Sequence, residues 1–171
     1  MRVVIQRVKS ASVTIDINQK PTIISTIGPG IMALVGIHIE DTKEDLEWCA
    51  KRLLSVKLWE NESGAAWRQH IKQKDYEILC VSQFTLYGTL SKKNTKPNYE
   101  LAMKSIQAEE MYNSFLETLR SGYEVDKIKD GKFGAMMDVA LVNDGPVTLV
   151  IDSREEKMGS RVSSVESIDE R

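Results

Sequence analysis

The chain has 171 residues, 42% of them hydrophobic and 28% charged, with a formal net charge of −2. That length suits one domain with its own core and is short for two. A near-neutral balance argues against a protein that wraps nucleic acid through many phosphates, and leaves open one that grips a nucleic acid only at its end. The start, Met1-Arg2-Val3-Val4-Ile5, breaks at Gln6 and Arg7, too soon for a signal-peptide core. No run approaches the roughly 20 apolar residues of a membrane helix. Cys49 falls in a helical pattern and Cys80 in an apolar strand run, so both read as small core residues rather than a disulfide. These features together point to a cytoplasmic protein.

In chain order, Val3 to Val8 alternates and continues through Ala11 to Ile17 as strand. A turn at Asn18-Gln19-Lys20-Pro21 leads into a second strand, Thr22 to Ile27. Gly28-Pro29-Gly30 turns the chain into a buried strand, Ile31 to Ile37. Thr42 is an N-cap with Asp45 three residues on, and Leu46, Cys49, Ala50, Leu53 and Leu54 follow helical spacing. Val56 to Trp59 is strand-like and precedes a polar loop around Asn61 to Gly64. The strand Ile78 to Val81 runs on into Ser82, Gln83 and Phe84, and a lysine-rich loop, Ser91 to Pro97, follows. A second helical region is expected from about Asn98, interrupted near Ser105 and ending at Gly122, with Ala108, Met111, Tyr112, Phe115, Leu116 and Leu119 on one face. Two strands, Val139 to Val142 and Val147 to Ile151, flank Gly145-Pro146. The predicted fold is a mixed α/β single domain, residues 1–153, with a largely antiparallel, barrel-like sheet and two main helices. Residues 154–171 read as a polar, disordered tail.

Several chemistries find no motif. His38 and His70 are the only histidines, and neither adjoins a nucleophile motif. Two cysteines and two scattered histidines offer no zinc spacing, and there is no Walker loop or G-x-G-x-x-G. The expected chemistry needs no metal and no cofactor. What stands out is a pair of segments, Ser82-Gln83-Phe84-Thr85-Leu86-Tyr87 and Asn143-Asp144-Gly145-Pro146-Val147-Thr148, each joining an apolar strand to polar atoms. A Gly-Pro bond is one of the few places where a cis peptide is accessible, at about 0.5–1 kcal/mol above trans.

These segments, with Val4-Ile5-Gln6-Arg7-Val8, Ala11-Ser12-Val13, Lys96-Pro97 and Lys132-Phe133-Gly134, occur in an order that resembles the D-aminoacyl-tRNA deacylase family from Met1 to about Asp152. The resemblance implies a two-fold homodimer that hydrolyses the ester joining a D-amino acid to the 3′ end of tRNA. It implies a cis Gly145-Pro146 bond in a loop that completes the partner's site, with Arg7 supporting that loop. Rigid backbone carbonyls there would hold the substrate ammonium and occupy the space of an L side chain, a filter that also admits glycyl-tRNA. Ser82, Gln83, Phe84 and Thr85 are the catalytic candidates, as donors to a developing oxyanion beside the substrate's own 2′-hydroxyl, with Thr85 as a nucleophile the alternative. Ala102, Lys132, Phe133 and Gly134 join Gly145, Pro146 and Arg7 as substrate-binding candidates. Lys92, Lys93, Lys96, Lys127, Lys129 and Lys132 are candidates for tRNA phosphates. The chain departs from the family pattern where many relatives carry Gly-Asn-Lys-Pro-Asp-Phe and this one reads Lys93-Asn94-Thr95-Lys96-Pro97-Asn98-Tyr99. Rival readings are a non-catalytic nucleic-acid-binding, replication-associated protein on the same scaffold, and a related deacylase for mischarged L-alanyl-tRNA.

Overall fold

One long strand organises the molecule. In the computed structural model, which describes residues 1–91 and 95–155, β1 (Arg2–Ile17) takes up the whole alternating segment. Asn18 and Gln19 both have left-handed φ, 52° and 62°. That is the geometry of a tight two-residue hairpin, and it sends the chain straight back as β2 (Lys20–Ile27). Pro21 therefore lies in β2 opposite Asp16, not in the expected turn. β3 (Gly30–Gly36) pairs antiparallel with the first half of β1, while β2 pairs with the second half.

The helix α1 (Lys43–Ser55) then crosses over, opened by a capping box in which Thr42 and Asp45 satisfy each other's ends. After the small pair β4 (Lys57–Trp59) and β5 (Gln69–His70) and one turn of helix α2 (Ile71–Lys74), β6 (Glu77–Ser82) joins β3 in parallel. The long helix α3 (Ser105–Gly122) leads to β7 (Ile128–Asp130), parallel to β6, and β8 (Asp138–Asp152) closes along β1. The sheet order is β2-β1-β3-β6-β7, with β8 on β1 as well.

Two cores result. Val3, Ile5, Ile31, Ala33, Val35, Ile78 and Cys80 pack under α1 and α3, which contribute Leu46, Cys49, Leu53, Tyr112, Phe115 and Leu119. Val8, Ala11, Val13, Ile15, Met32, Leu79 and Val81 form a second core on the opposite face, against which Met137, Val139 and Leu141 pack. Each fully buried aliphatic or aromatic side chain contributes about 1.5–3 kcal/mol, so both helices are held by packing more than by propensity.

Four expectations are corrected. Asn98–Lys104 is not helical: Asn98 bridges Thr89, Ala102 bridges His38, and Met103 N–H bonds the Ile37 carbonyl, which draws this stretch onto β3's extension. β6 ends at Ser82, and Phe84–Tyr87 is a single 3₁₀ turn rather than strand. The two strands expected around Gly145-Pro146 are one strand with an interruption. Arg154 is not part of a loose tail, because its guanidinium meets Glu40 at 2.6 Å and its N–H bonds Asp152. The rest of the expected tail, from residue 156, lies outside the described residues. Among those described, no helix is long and apolar enough to cross a membrane.

Gly30 shows how tightly β3 and β6 meet: a Cβ there would sit 2.0 Å from the Glu77 carbonyl oxygen, whereas one on Gly28 would meet nothing within 4 Å. Gly30→Ala is expected to destabilise the protein by about 1–3 kcal/mol, with Gly28→Ala within about 0.5 kcal/mol of the parent. Urea unfolding midpoints of the two variants check this, and equal midpoints would refute it.

Candidate active site

The parallel strands β3 and β6 end side by side, and a cavity of about 590 Å³ opens beyond them. That volume is in the range of small-molecule sites. Val35, Ile37 and Val81 form its floor, Ser82, Gln83 and Phe84 one wall, and Ala102, Met103, Phe133 and Gly134 the others. Gln83 N–H bonds the Val35 carbonyl at 2.8 Å, so β6 is anchored to β3 as it leaves the sheet. Gly36 has no Cβ to hold off the next turn: one would come within 2.9 Å of Leu86 Cβ. Arg2 fixes the far side, donating to the Leu86 carbonyl at 2.8 Å while pairing with Asp152 at 2.8 Å.

The turn Phe84–Tyr87 starts directly at the cavity, and the first N–H groups of such a turn have no acceptor within it. The amides of Phe84 and Thr85 thus have no acceptor within the turn, and of the two residues only Phe84 lines the cavity. Thr85 itself does not line the cavity, and its hydroxyl accepts a hydrogen bond from Gln83 Nε2 at 2.5 Å. An amide cannot take up a proton from that hydroxyl. Neither histidine serves it: the His38 ring stands edge-on to Tyr87, and His70 caps α2. Phe84 is 57% exposed and stacks edge-on against Tyr99 at 5.0 Å, so it is cavity wall and not core. Phe133 is half-buried and packs against Tyr112.

Gly145 and Pro146 lie elsewhere. The bond between them is cis, and the segment interrupts β8 between Val147, opposite Arg7, and Asn143, opposite Val8. Arg7 organises it, with Nε bonding the Asp144 carbonyl at 3.2 Å and pairing with the Asp144 carboxylate at 3.1 Å. Its Nη1 donates to the Leu58 carbonyl. Gly145 has φ of 120°, and a Cβ there would press on Val147 and on the Arg7 guanidinium. None of Arg7, Gly145 and Pro146 lines the cavity. On β8 the cavity residue nearest them in sequence is Val139, six residues before Gly145 and therefore about 15–20 Å away along the strand. The fold brings together Ser82, Gln83, Phe84, Ala102, Phe133 and Gly134, and keeps the Gly-Pro loop apart within the chain.

Lys132 is exposed and outside the cavity lining, and Lys127 is held by Asp75 at 3.0 Å. Lys92 and Lys93 lie outside the described residues. Arg2, Gly36 and Met103 carry no sequence signal, since their roles arise from contacts between distant segments. Among the described residues no group of three or more His, Cys, Asp or Glu side chains could hold a metal ion.

The family model described as D-Tyr-tRNA(Tyr) deacylase matches residues 4–152. The chain belongs to that family. It is 49% identical over 157 residues to a D-aminoacyl-tRNA deacylase of Dictyostelium discoideum, covering 91% of this chain and all of that one. It is 51% identical to D-aminoacyl-tRNA deacylase 1 of Homo sapiens over 90% of this chain and 70% of that one. A solved structure called c-Myc DNA Unwinding Element Binding Protein superposes with a TM-score of 0.80 at 49% identity, covering 89% of this chain and 98% of that one. A second, titled as a probable eukaryotic D-amino acid tRNA deacylase, has a TM-score of 0.74 at 17% identity over 88% and 98% of the two chains, and shows the shared fold.

His38 ties the cavity to the chain ends, because it bridges Ala102 while its Nδ1 accepts from the Glu40 N–H and meets Arg154 at 3.1 Å. Burial, and then the Arg154 charge, hold its imidazole below the ordinary 6.5, against the smaller pull of Asp41 and Glu40. The unfolded chain protonates this group first, so in that window it binds more protons than the fold and acid favours unfolding. Stability is expected to fall between about pH 7 and 5, and less steeply in His38→Gln. Denaturant midpoints across that range test it, and identical slopes would exclude His38 as a contributor.

Proposed function

We propose that the chain hydrolyses the ester bond of D-aminoacyl-tRNA, releasing the amino acid and tRNA. The observation that carries this reading is the cavity at the joined ends of β3 and β6, walled by Ser82, Gln83 and Phe84 in a chain of this family. An aminoacyl ester is already activated and brings a vicinal 2′-hydroxyl, so positioning and oxyanion stabilisation suffice. The Phe84 amide, unpaired within the turn at the cavity wall, is the backbone donor that this reading uses, with the Thr85 amide behind it. The pairing of the Thr85 hydroxyl with an amide supports the positioning role over a nucleophilic threonine.

Selection against L-esters, and admission of glycyl esters, is assigned to the Gly145-Pro146 carbonyls acting from a second copy of the chain. The loop's separation from its own cavity supports that arrangement. So does β8, which pairs only with β1 among the described residues and exposes Val142, Leu149 and Val150 along its length. A two-fold axis would place the same loop and the same cavity opposite each other twice. One relative's name is that of a DNA-binding protein; a net charge of −2 speaks against a broad duplex footprint on this chain.

Purified protein is expected to hydrolyse D-tyrosyl-tRNA and to leave L-tyrosyl-tRNA intact. Thr85→Ala should lose less than the about 10²–10³-fold that removing an oxyanion donor costs, because its backbone N–H remains. Equal rates on both enantiomers would defeat the chirality filter, and no hydrolysis of either would favour the DNA-binding reading. An inert, folded Thr85→Ala would instead establish the nucleophile.

Subunit sharing has its own test. Arg7→Ala removes the support of the loop, and Ala102→Phe blocks the cavity. Refolded together, the two inactive chains should recover about a quarter of parental activity, since half the dimers are mixed and each has one intact composite site. No recovery in demonstrated mixed dimers would mean that each site is built within one chain.

A further inference from the structure

Among the described residues that line the cavity, Lys104 has the only charged side chain. Its side chain is exposed and makes no hydrogen bond or ion pair with another described residue. Its position is also unusual for a cation, since it is the N-cap of α3, where a helix favours negative charge. The contrast within the chain is direct. α1 opens with a Thr42 and Asp45 capping box and two acids in its first turn, whereas α3 has no side-chain cap and no acid in its first turn. A local preference left unmet beside a cavity is where a sequence departs from stability for function.

We propose that Lys104 binds a phosphate of the tRNA 3′ strand, the one preceding the terminal adenosine, when the aminoacyl-adenosine end occupies the cavity. This rests on the deacylase reading. The chemistry of the substrate selects the contact. An aminoacylated 3′ end carries one cation, the α-ammonium, and its nearest anion is the phosphodiester on the 5′ side of the terminal nucleoside. Lys104 repels the first and attracts the second. It therefore sets the polarity of binding, with the nucleotide toward the start of α3 and the amino acid toward Ser82 and Phe84 across the cavity. A lysine acts as a point charge on a flexible stem, which suits a phosphate that emerges from the mouth of the cavity into solvent.

The test compares two esters that differ in that phosphate, D-tyrosyl-tRNA and D-tyrosyl-adenosine, with the parent, Lys104→Gln, Lys104→Glu and Lys104→Arg. Lys104→Gln is expected to raise KM for D-tyrosyl-tRNA about tenfold with kcat unchanged, Lys104→Glu more, and Lys104→Arg to restore it. For D-tyrosyl-adenosine all three should match the parent. The salt dependence of log kcat/KM for the tRNA ester should be shallower by about 0.7 in the Gln variant, the loss of one single-strand phosphate contact. An unchanged tRNA KM in Lys104→Gln, or an equal change for both esters, overturns the assignment while leaving the deacylase reading intact. A parent protein that cleaves neither ester overturns both.

Discussion

The fold depends on β1 changing cores midway. Val3 and Ile5 point under the helices, but Ala11, Val13 and Ile15, of the same parity, point into the opposite core. A regular strand cannot do this, because alternate residues keep to one face. The pairing with β8 slips twice in between, at Arg7/Val8 and at Val8/Ser10. The second slip leaves Lys9 unpaired, and one inserted residue reverses which parity faces which side. The first slip ejects Asp144, Gly145 and Pro146 from β8 at the same place. The irregularity that lets one strand serve two cores thus lies next to the one that forms the Gly-Pro loop, and Arg7, between them and the helix side, ties the loop down through Asp144.

A similar economy shapes the cavity. Two parallel strands whose carboxyl ends coincide leave a crevice beyond the sheet, the usual place for ligands in parallel arrangements. Here main-chain contacts hold the walls of the crevice in place. Gly36 admits the Phe84–Tyr87 turn, Arg2 holds its Leu86 carbonyl, and Ile37 and Ile39 draw in Leu101 to Met103 through main-chain bonds. Donors fixed by backbone need little reordering when a substrate arrives, which is the condition for electrostatic preorganisation.

Much of this was legible in the sequence because it is periodic or local. The faces of α1 and α3 followed from apolar spacing, the first cap from Thr42 and Asp45, and the Ser82 to Phe84 segment from polar residues closing an apolar strand. What escaped reading is decided by distant partners. Ala102 sits in a helix-compatible stretch, yet its backbone is taken by the extension of β3, so local propensity lost to a tertiary bridge. Gln69–His70 and Ile128–Asp130 are too short to have a period. Arg154 looks like the start of a polar tail, and only the fold reveals Glu40 and His38 beside it.

The near-neutral charge is compatible with a nucleic-acid substrate gripped only at its end. A protein that reads a duplex needs many phosphate contacts, each adding to salt dependence and to retention on the wrong strand. A site that accepts only an esterified 3′ end obtains its selectivity from the cavity and its walls. One lysine at the mouth is then sufficient to align the strand, and further basic residues would mainly slow the departure of deacylated tRNA. Lys127 illustrates the restraint, since it is committed to Asp75 rather than presented to a ligand. The charge that the proposal turns on is local: a cavity whose described lining is otherwise uncharged, beside the unmatched positive end of α3, would distinguish phosphate from ammonium without broad affinity for nucleic acid.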